Sequence, residues 1–220
     1  MSRATIQVDD RLAAYLADIA RPEGPIEHRL RETTAKMPNA GMQIGTNQAA
    51  FMALMVGLTA ARRAIEVGTF TGYSALTIAK ALPADGKLVC CDVSDEWTRI
   101  GRAAWIEAGV ADRIDLRLGP ADATLARMIA HGESDGYDLA FIDANKDGYD
   151  GYFEQCLILV RRGGLILIDN MLWNGAVADP SNNTADTIAI RALNRKLRDD
   201  QRIDFCLAPI GDGLVLARRR

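Results

Sequence analysis

The chain of 220 residues is long enough for one sizeable core, and an α/β unit of that length needs no second domain. With 26 Lys+Arg against 29 Asp+Glu and a formal net charge of −3, it carries no global basic field, which argues against nucleic-acid and membrane-surface partners. No apolar stretch spans a bilayer, and acids interrupt residues 1–20 where a signal peptide needs an unbroken apolar segment, so a soluble cytoplasmic protein is expected.

Val8, Leu12, Tyr15, Leu16 and Ile19 recur at helical spacing, so the chain opens with an amphipathic helix that Pro22, Gly24 and Pro25 end. A second helix is expected at about 27–36, before Pro38, and a third, rich in Met and Phe, at 47–58. From Ala64 onward strand and helix signals alternate at βαβ spacing. Strands fall at 64–67, 88–91, 114–118, 139–142 and 165–168, with helices near 73–81, 96–108, 121–129 and 152–160. Gly163-Gly164 reads as the C-cap of the last of these helices. A helix near 187–198 then leads into strands at 203–207 and 213–217, too close together for a crossover and therefore an antiparallel hairpin. The pattern is a doubly wound α/β sheet of seven strands with an antiparallel last strand, residues 1–60 forming a helical cap over the site and residues 61–220 the core of one domain.

Cys90, Cys91, Cys156 and Cys206 lack Cys-x-x-Cys spacing and read as core thiols of a reducing compartment. The densest basic clusters, Arg195-Lys196-x-Arg198 and Arg218-Arg219-Arg220, read as solvated charges rather than a binding surface.

Two apolar runs end on acids: Leu139-Ala140-Phe141-Ile142-Asp143, and Leu165-Ile166-Leu167-Ile168-Asp169 followed by Asn170. Ligands of open α/β sheets sit beyond the carboxyl ends of such strands, so Asp143, Asp169 and Asn170 offer three hard oxygen ligands for Mg²⁺ or Ca²⁺ in one crevice, with Lys146 beside them. Against this stands the habit of Asp and Asn of opening turns. The first core strand runs into Gly68-Thr69-Phe70-Thr71-Gly72, a G-x-x-x-G turn rather than the dinucleotide G-x-G-x-x-G. Gly68 and Gly72 would let the backbone pass close to a ligand. Asp92 ends the second strand about twenty residues on, where an acid accepts from both ribose hydroxyls, so a nucleoside without a diphosphate fits better than NAD.

Together, Glu66-Val67-Gly68-Thr69-Phe70-Thr71-Gly72-Tyr73-Ser74, Cys91-Asp92-Val93, Gly119-Pro120-Ala121, Asp143-Ala144-Asn145-Lys146-Asp147, Asp169-Asn170-Met171-Leu172-Trp173-Asn174-Gly175 and Gly211-Asp212-Gly213 resemble the cation-dependent class I O-methyltransferases, which include caffeoyl-CoA and catechol O-methyltransferases. The resemblance runs from about Arg29 to the C-terminus, with the motifs in family order. It implies a Rossmann-like fold and an S-adenosylmethionine pocket lined by Glu66, Gly68, Thr69 and Ser74, with Asp92 on the ribose and Trp97 and Ala121 flanking the adenine. It also implies that the stretch around Met42-Gln43-Ile44 closes over the cofactor. Asp143, Asp169 and Asn170 match the metal ligands, Asp143 also lying beside the methyl donor; Mg²⁺ is the expected ion, with Ca²⁺ or Mn²⁺ as alternatives. Lys146 matches the base, Trp173 and Asn174 match positions near the acceptor, and a homodimer is implied. The chain departs from the family at Ala49-Ala50, where Gly-Gln is common, and at Asn145, where Asp is common.

Methyl transfer from a sulfonium is an in-line displacement, so the protein must chiefly hold a nucleophilic oxygen against the methyl carbon. A cation binding two adjacent oxygens of a catechol orients the diol and stabilises the developing phenolate, after which Lys146 takes the proton; alternatively Lys146 is only a counter-ion to the oxygen ligands. The acceptor expected is a catechol-like or hydroxycinnamoyl-type phenol, with a hydroxylated base of transfer RNA as the alternative, which needs a basic path to the pocket. Asp143-x-Asn145-x-Asp147-Gly148 with Glu154 also satisfies the EF-hand loop, yet it follows a strand rather than a helix. A hydrolase is excluded by the missing nucleophile elbow around Ser74.

Overall fold

The computed structural model describes residues 6–220. Its centre is a seven-stranded sheet in the order β3-β2-β1-β4-β5-β7-β6, built from β1 (Arg63–Val67), β2 (Lys87–Asp92), β3 (Ile114–Leu118), β4 (Tyr137–Ile142), β5 (Val160–Ile168), β6 (Ile203–Ala208) and β7 (Leu214–Arg219). β1 to β5 pair in parallel, and β7 runs antiparallel to both β5 and β6, the expected hairpin. The helices are α1 (Asp10–Ile19), α2 (Pro25–Thr34), α3 (Thr46–Leu58), α4 (Tyr73–Ala81), α5 (Asp95–Glu107), α6 (Ala121–Ala130), α7 (Tyr149–Leu159) and α8 (Ala185–Asp199).

Strand side chains alternate between faces, and the central strands are apolar on both because helices cover both. Along β4, Leu139 and Phe141 join the core under α2 to α5 with Met52, Leu76 and Trp105, while Ala140 and Ile142 join the core under α6 to α8 with Leu125, Phe153 and Leu193. β5 divides the same way, Leu165 and Leu167 to one layer and Ile166 and Ile168 to the other. The chain leaves β1 toward β2 and β3 and later returns to place β4 on its other side. That switch of direction opens a crevice beyond the carboxyl ends of β1, β2, β4 and β5.

Three expectations are corrected. Gly163-Gly164 does not cap a helix: α7 ends at Leu159 and both glycines lie inside β5. The pairing with β4 is irregular there, and a Cβ on Gly164 would stand 2.5 Å from Val160 Cγ1, so the glycines serve a bulge. α1 caps nothing: it contributes no buried residue, and Val8, Tyr15, Leu16 and Ile19 are all exposed. Its periodicity dictates a helix with an apolar face but not a partner for that face. Cys206 sits exposed on the edge strand β6, whereas Cys90, Cys91 and Cys156 are core thiols as expected. Among the described residues no helix is long and apolar enough to cross a membrane.

Apart from the exposed Arg195, the basic clusters pair with neighbours: Lys196 with Asp150 and Glu154, Arg198 with Asp199, Arg219 with Asp135, and Arg218 and Arg220 with Asp204. Glu154 ties α7 to α8 through Lys196 and to the entry of β6 through a two-point contact with Arg202 at 2.7 and 2.8 Å. Hydrogen bonding from Arg202, supported by Lys196, pulls the Glu154 carboxyl from 4.5 down to about 2. Because the folded value lies below the unfolded one, this contribution to stability is present above pH 4.5 and is lost as the pH falls toward 2. Thermal unfolding followed across that acid range should show a shallower decline for Glu154→Gln than for the wild type; superimposable declines would show that the network carries no pH-linked stability.

Candidate active site

The crevice is floored by the turn from β1 into α4. Gly68, at φ +89°, faces the end of β4, and a Cβ there would stand 2.0 Å from the Asp143 carbonyl oxygen. Gly72, at φ +79°, faces Trp105, whose ring would lie 2.6 Å from a Cβ and whose Nε1 donates to the Gly72 carbonyl at 3.0 Å. Both glycines are thus required by the protein's own close packing, where the sequence suggested room for a ligand. Phe70 adopts φ +51°, a strained value for a bulky residue, and its N–H donates to Asp92 Oδ2 at 2.8 Å.

Asp92 is the clamp of this floor. Its Oδ2 accepts from the N–H groups of Thr69 and Phe70, and its Oδ1 from that of Ser94, each at 2.8 Å. A carboxylate offers about four acceptor positions, so only about one remains for a ribose, not the pair expected from the sequence. Phe70 and Trp97 pack edge to face on the cleft wall with ring centroids 5.2 Å apart.

Glu66 does not reach the wall. It is fully buried inside β1, with Oε2 accepting from the Cys90 thiol at 3.4 Å and Oε1 without a partner. Burial pushes its carboxyl from 4.5 up to about 7, partly offset by the nearby Ser74 and Thr69 hydroxyls and Cys90. The strand period explains the difference: Glu66 is the penultimate residue of β1 and points into the α4 layer beneath the turn.

At the other side of the crevice Asp143 follows β4, and Asp169-Asn170 follow β5. The Lys146 ammonium, from a 3₁₀ turn over Lys146–Gly148, donates to Asp143 Oδ1 at 3.2 Å, Asn170 Oδ1 at 2.5 Å and the Tyr149 hydroxyl at 2.5 Å. Two of the three expected oxygen donors therefore aim at one cationic point, and Asn170 does so from φ +58°, a left-handed conformation that Asn tolerates. Asp169 is 3% exposed and lies behind the wall, its Oδ1 accepting from the Asn170 N–H and its Oδ2 from Gln48 Nε2, both at 2.7 Å. Burial first, and the neighbouring Asp143 charge second, push its carboxyl up to about 7; burial likewise raises Asp143 against the pull of Lys146. Asp143, Asp169 and Asn170 at one sheet edge are a hard oxygen donor set that could hold Mg²⁺, Ca²⁺ or Mn²⁺.

The wall beside Lys146 is held by the turn between β6 and β7. Asp212 Oδ1 accepts from the Asn174 N–H at 2.6 Å and the Asp212 carbonyl from Leu172 at 2.9 Å, while the Gly213 carbonyl accepts from Met171 at 2.8 Å. The Gly211-Asp212-Gly213 motif thereby fixes Trp173 and Asn174, both at φ +48°, on the wall beside Lys146. Ile44, Gly68, Thr69, Ser74, Asp92, Trp97, Ala121, Asp143, Lys146, Asn170, Trp173 and Asn174 all line one cavity of about 1180 Å³, which also takes in Gly41, Met42 and Gln43. That exceeds the few hundred to about 1,000 Å³ of a single-ligand pocket and leaves room for a nucleoside and a small acceptor together.

Gln48 and Tyr149 are the residues sequence reasoning missed. Gln48 is 2% exposed, and Gly211 leaves it room: a Cβ there would stand 2.2 Å from Gln48 Oε1. Its signal was a buried-side polar residue at the start of a helix without a single charge. The EF-hand match dissolves in three dimensions, since Asp150 turns to Lys196 and Glu154 to Arg202, away from Asp143. Nor does a basic path for transfer RNA run into the cleft: among the described residues lining it, Lys146 is the only Lys or Arg.

A family profile described as O-methyltransferase matches residues 18–220. A relative named as a probable caffeoyl-CoA O-methyltransferase 2 from Dictyostelium discoideum is 46% identical over 96% of this chain and 92% of its own. The caffeoyl-CoA O-methyltransferase of Eucalyptus gunnii is 40% identical over 96% of this chain and 88% of its own. Among solved structures, an O-methyltransferase from Streptomyces achromogenes, involved in tomaymycin synthesis and solved with SAM, superposes with a TM-score of 0.84 at 27% identity, covering 95% of this chain and 96% of its own.

The raised Glu66 carboxyl makes a measurable claim. Its folded value lies above the unfolded one, so stability is complete below pH 4.5 and declines as the pH rises toward 7. Glu66→Gln should flatten that decline when melting temperature is followed from about pH 5 to about pH 8. An equal decline in both proteins would assign the effect to another group.

Proposed function

The chain belongs to the O-methyltransferase family, and on that premise we propose that it transfers the methyl group of S-adenosylmethionine to a hydroxyl of a catechol-like or hydroxycinnamoyl-type phenol with a divalent cation as helper. The observation that carries this reading is the aim of Asp143 and Asn170 at a single ammonium, in the same cavity as the Gly68 turn and Asp92. A cation there would be held by Asp143, Asp169 and Asn170, and would supply orientation of two adjacent oxygens and stabilisation of phenolate charge.

The chain's own residues do the rest. Asp92 and the Thr69–Phe70 backbone hold the nucleoside end rigid, and Phe70 and Trp97 offer apolar faces for a base. Trp173 provides an aromatic wall 5.5 Å from the Lys146 ammonium, against which a phenol ring packs. Lys146 Nζ, as the free amine after release of one proton to solvent, would take the hydroxyl proton and return to the ammonium, with Tyr149 and Asn170 keeping that nitrogen facing the acceptor. Holding oxygen and methyl carbon in line supplies much of the rate, since orientation alone can contribute about 7–11 kcal/mol. Gln48 braces Asp169 from behind the wall.

Two measurements test this reading. Asp169→Asn should lower methyl transfer to dihydroxylated aromatics by about a hundredfold or more while S-adenosylhomocysteine, followed by calorimetry, still binds. Full activity in excess chelator would remove the cation from the scheme. Gln48→Ala should raise the Mg²⁺ concentration needed for half-maximal activity about ten- to a hundredfold with less change in kcat; an unchanged requirement would leave Gln48 as packing only.

A further inference from the structure

We propose, resting on the reading above, that Tyr149 is a positioning residue for methyl transfer: its hydroxyl is the one anchor of the Lys146 nitrogen that the cation does not also claim. Three groups hold that nitrogen, Asp143 Oδ1 at 3.2 Å, Asn170 Oδ1 at 2.5 Å and the Tyr149 hydroxyl at 2.5 Å. The first two belong to the donor set offered to a divalent cation. An ammonium and a dication drawing on the same oxygens repel each other, which weakens the grip of Asp143 and Asn170 on Lys146. Hard cations take carboxylate, carbonyl and water oxygens, so the phenolic oxygen of Tyr149 has no second duty.

The local structure suits Tyr149 to this role. A 3₁₀ turn joins it to Lys146, a geometry in which side chains at i and i+3 eclipse, and the Tyr149 N–H donates to the Lys146 carbonyl. The two residues are therefore tied both at the backbone and at the side-chain tips. Tyr149 is 1% exposed and belongs to the core under α6 to α8, whereas Lys146 lines the cavity. Close packing leaves the ring little freedom, so its oxygen is a fixed post for the end of a flexible four-carbon stem. A buried hydroxyl costs stability unless it is hydrogen-bonded, and the bond from Lys146 Nζ offsets that cost. As the free amine, Lys146 Nζ keeps two N–H groups and one lone pair. An N–H directed at Tyr149 leaves the lone pair for the acceptor proton, which becomes the third N–H, while Tyr149 neither gains nor loses a proton. The ammonium so formed lies 4.5 Å from the centroid of the Tyr149 ring and 5.5 Å from that of Trp173, two aromatic faces that favour the positive charge.

The test uses the full chain with S-adenosylmethionine, Mg²⁺ and a dihydroxylated aromatic, and compares Tyr149→Phe, Lys146→Ala and the double variant. Tyr149→Phe keeps the ring and removes only the oxygen, so kcat should fall about ten- to a hundredfold. The acceptor KM, the Mg²⁺ concentration for half-maximal activity and the affinity for S-adenosylhomocysteine by calorimetry should each stay within about twofold, because the lost contact acts on the chemical step alone. Since Tyr149 acts through Lys146, the double variant should be no slower than Lys146→Ala. A further measurement needs no change at Tyr149. In protein labelled with ¹⁵N-lysine and bound to S-adenosylhomocysteine, the Lys146 Nζ signal, identified by its loss in Lys146→Ala, should stay protected from solvent exchange when Mg²⁺ is added. In Tyr149→Phe that protection should disappear. Losses that multiply in the double variant, a changed Mg²⁺ requirement in place of a changed kcat, or a wild-type signal whose protection Mg²⁺ abolishes would each overturn the proposal. Failure of the wild type to methylate any dihydroxylated aromatic overturns the proposed function itself and this inference with it.

Discussion

The structure depends on the register of β4 against β5. Ile142 pairs with Ile168, so the next residues, Asp143 and Asp169, emerge side by side at the same sheet edge, about one strand spacing apart. A slip of one residue would turn the apolar side chains of either strand to the wrong layer, and the two cores on opposite faces of the sheet forbid it. The same packing that stabilises the fold therefore forces two carboxylates together, Asp169 almost sealed from water and Asp143 opening on the cavity. Both carboxyls are driven upward by burial, and Asp169 further by its neighbour.

Such a pair persists because other elements converge to satisfy it. Lys146 arrives from the turn after β4, Gln48 from α3 and the Asn170 N–H from the chain itself. Each comes from a different part of the sequence, so the site is built on the whole sheet edge rather than on one loop. The β6–β7 turn completes it twice over: Gly211 makes room for Gln48, and Asp212 and Gly213 pin the segment that carries Trp173 and Asn174. The late hairpin thus serves as the buttress of the wall that carries Trp173 and Asn174.

The floor around Asp92 is built differently. Asp92 spends most of its acceptor capacity on the backbone of its own turns, which holds Phe70 in a conformation it would otherwise avoid. Rigidity there is obtained before any ligand arrives, which favours positioning over adaptation.

What the sequence determined by itself was everything that rests on local periodicity and on residue type. The alternating apolar runs located all seven strands, the final hairpin followed from a short connection, and Asp143, Asp169, Asn170, Asp92 and Lys146 were legible because acids, amide and lysine stand directly after buried strands. Tertiary structure decided the rest, because depth and partnership are not properties of a residue's neighbours in the chain. It placed Glu66 beneath the wall, gave Gly68 and Gly72 to internal packing, moved Gly163-Gly164 into a strand, and left the apolar face of α1 uncovered. It also brought Gln48 to Asp169 across 121 positions of sequence, a contact that depends on where α3 lies against α4 over the sheet.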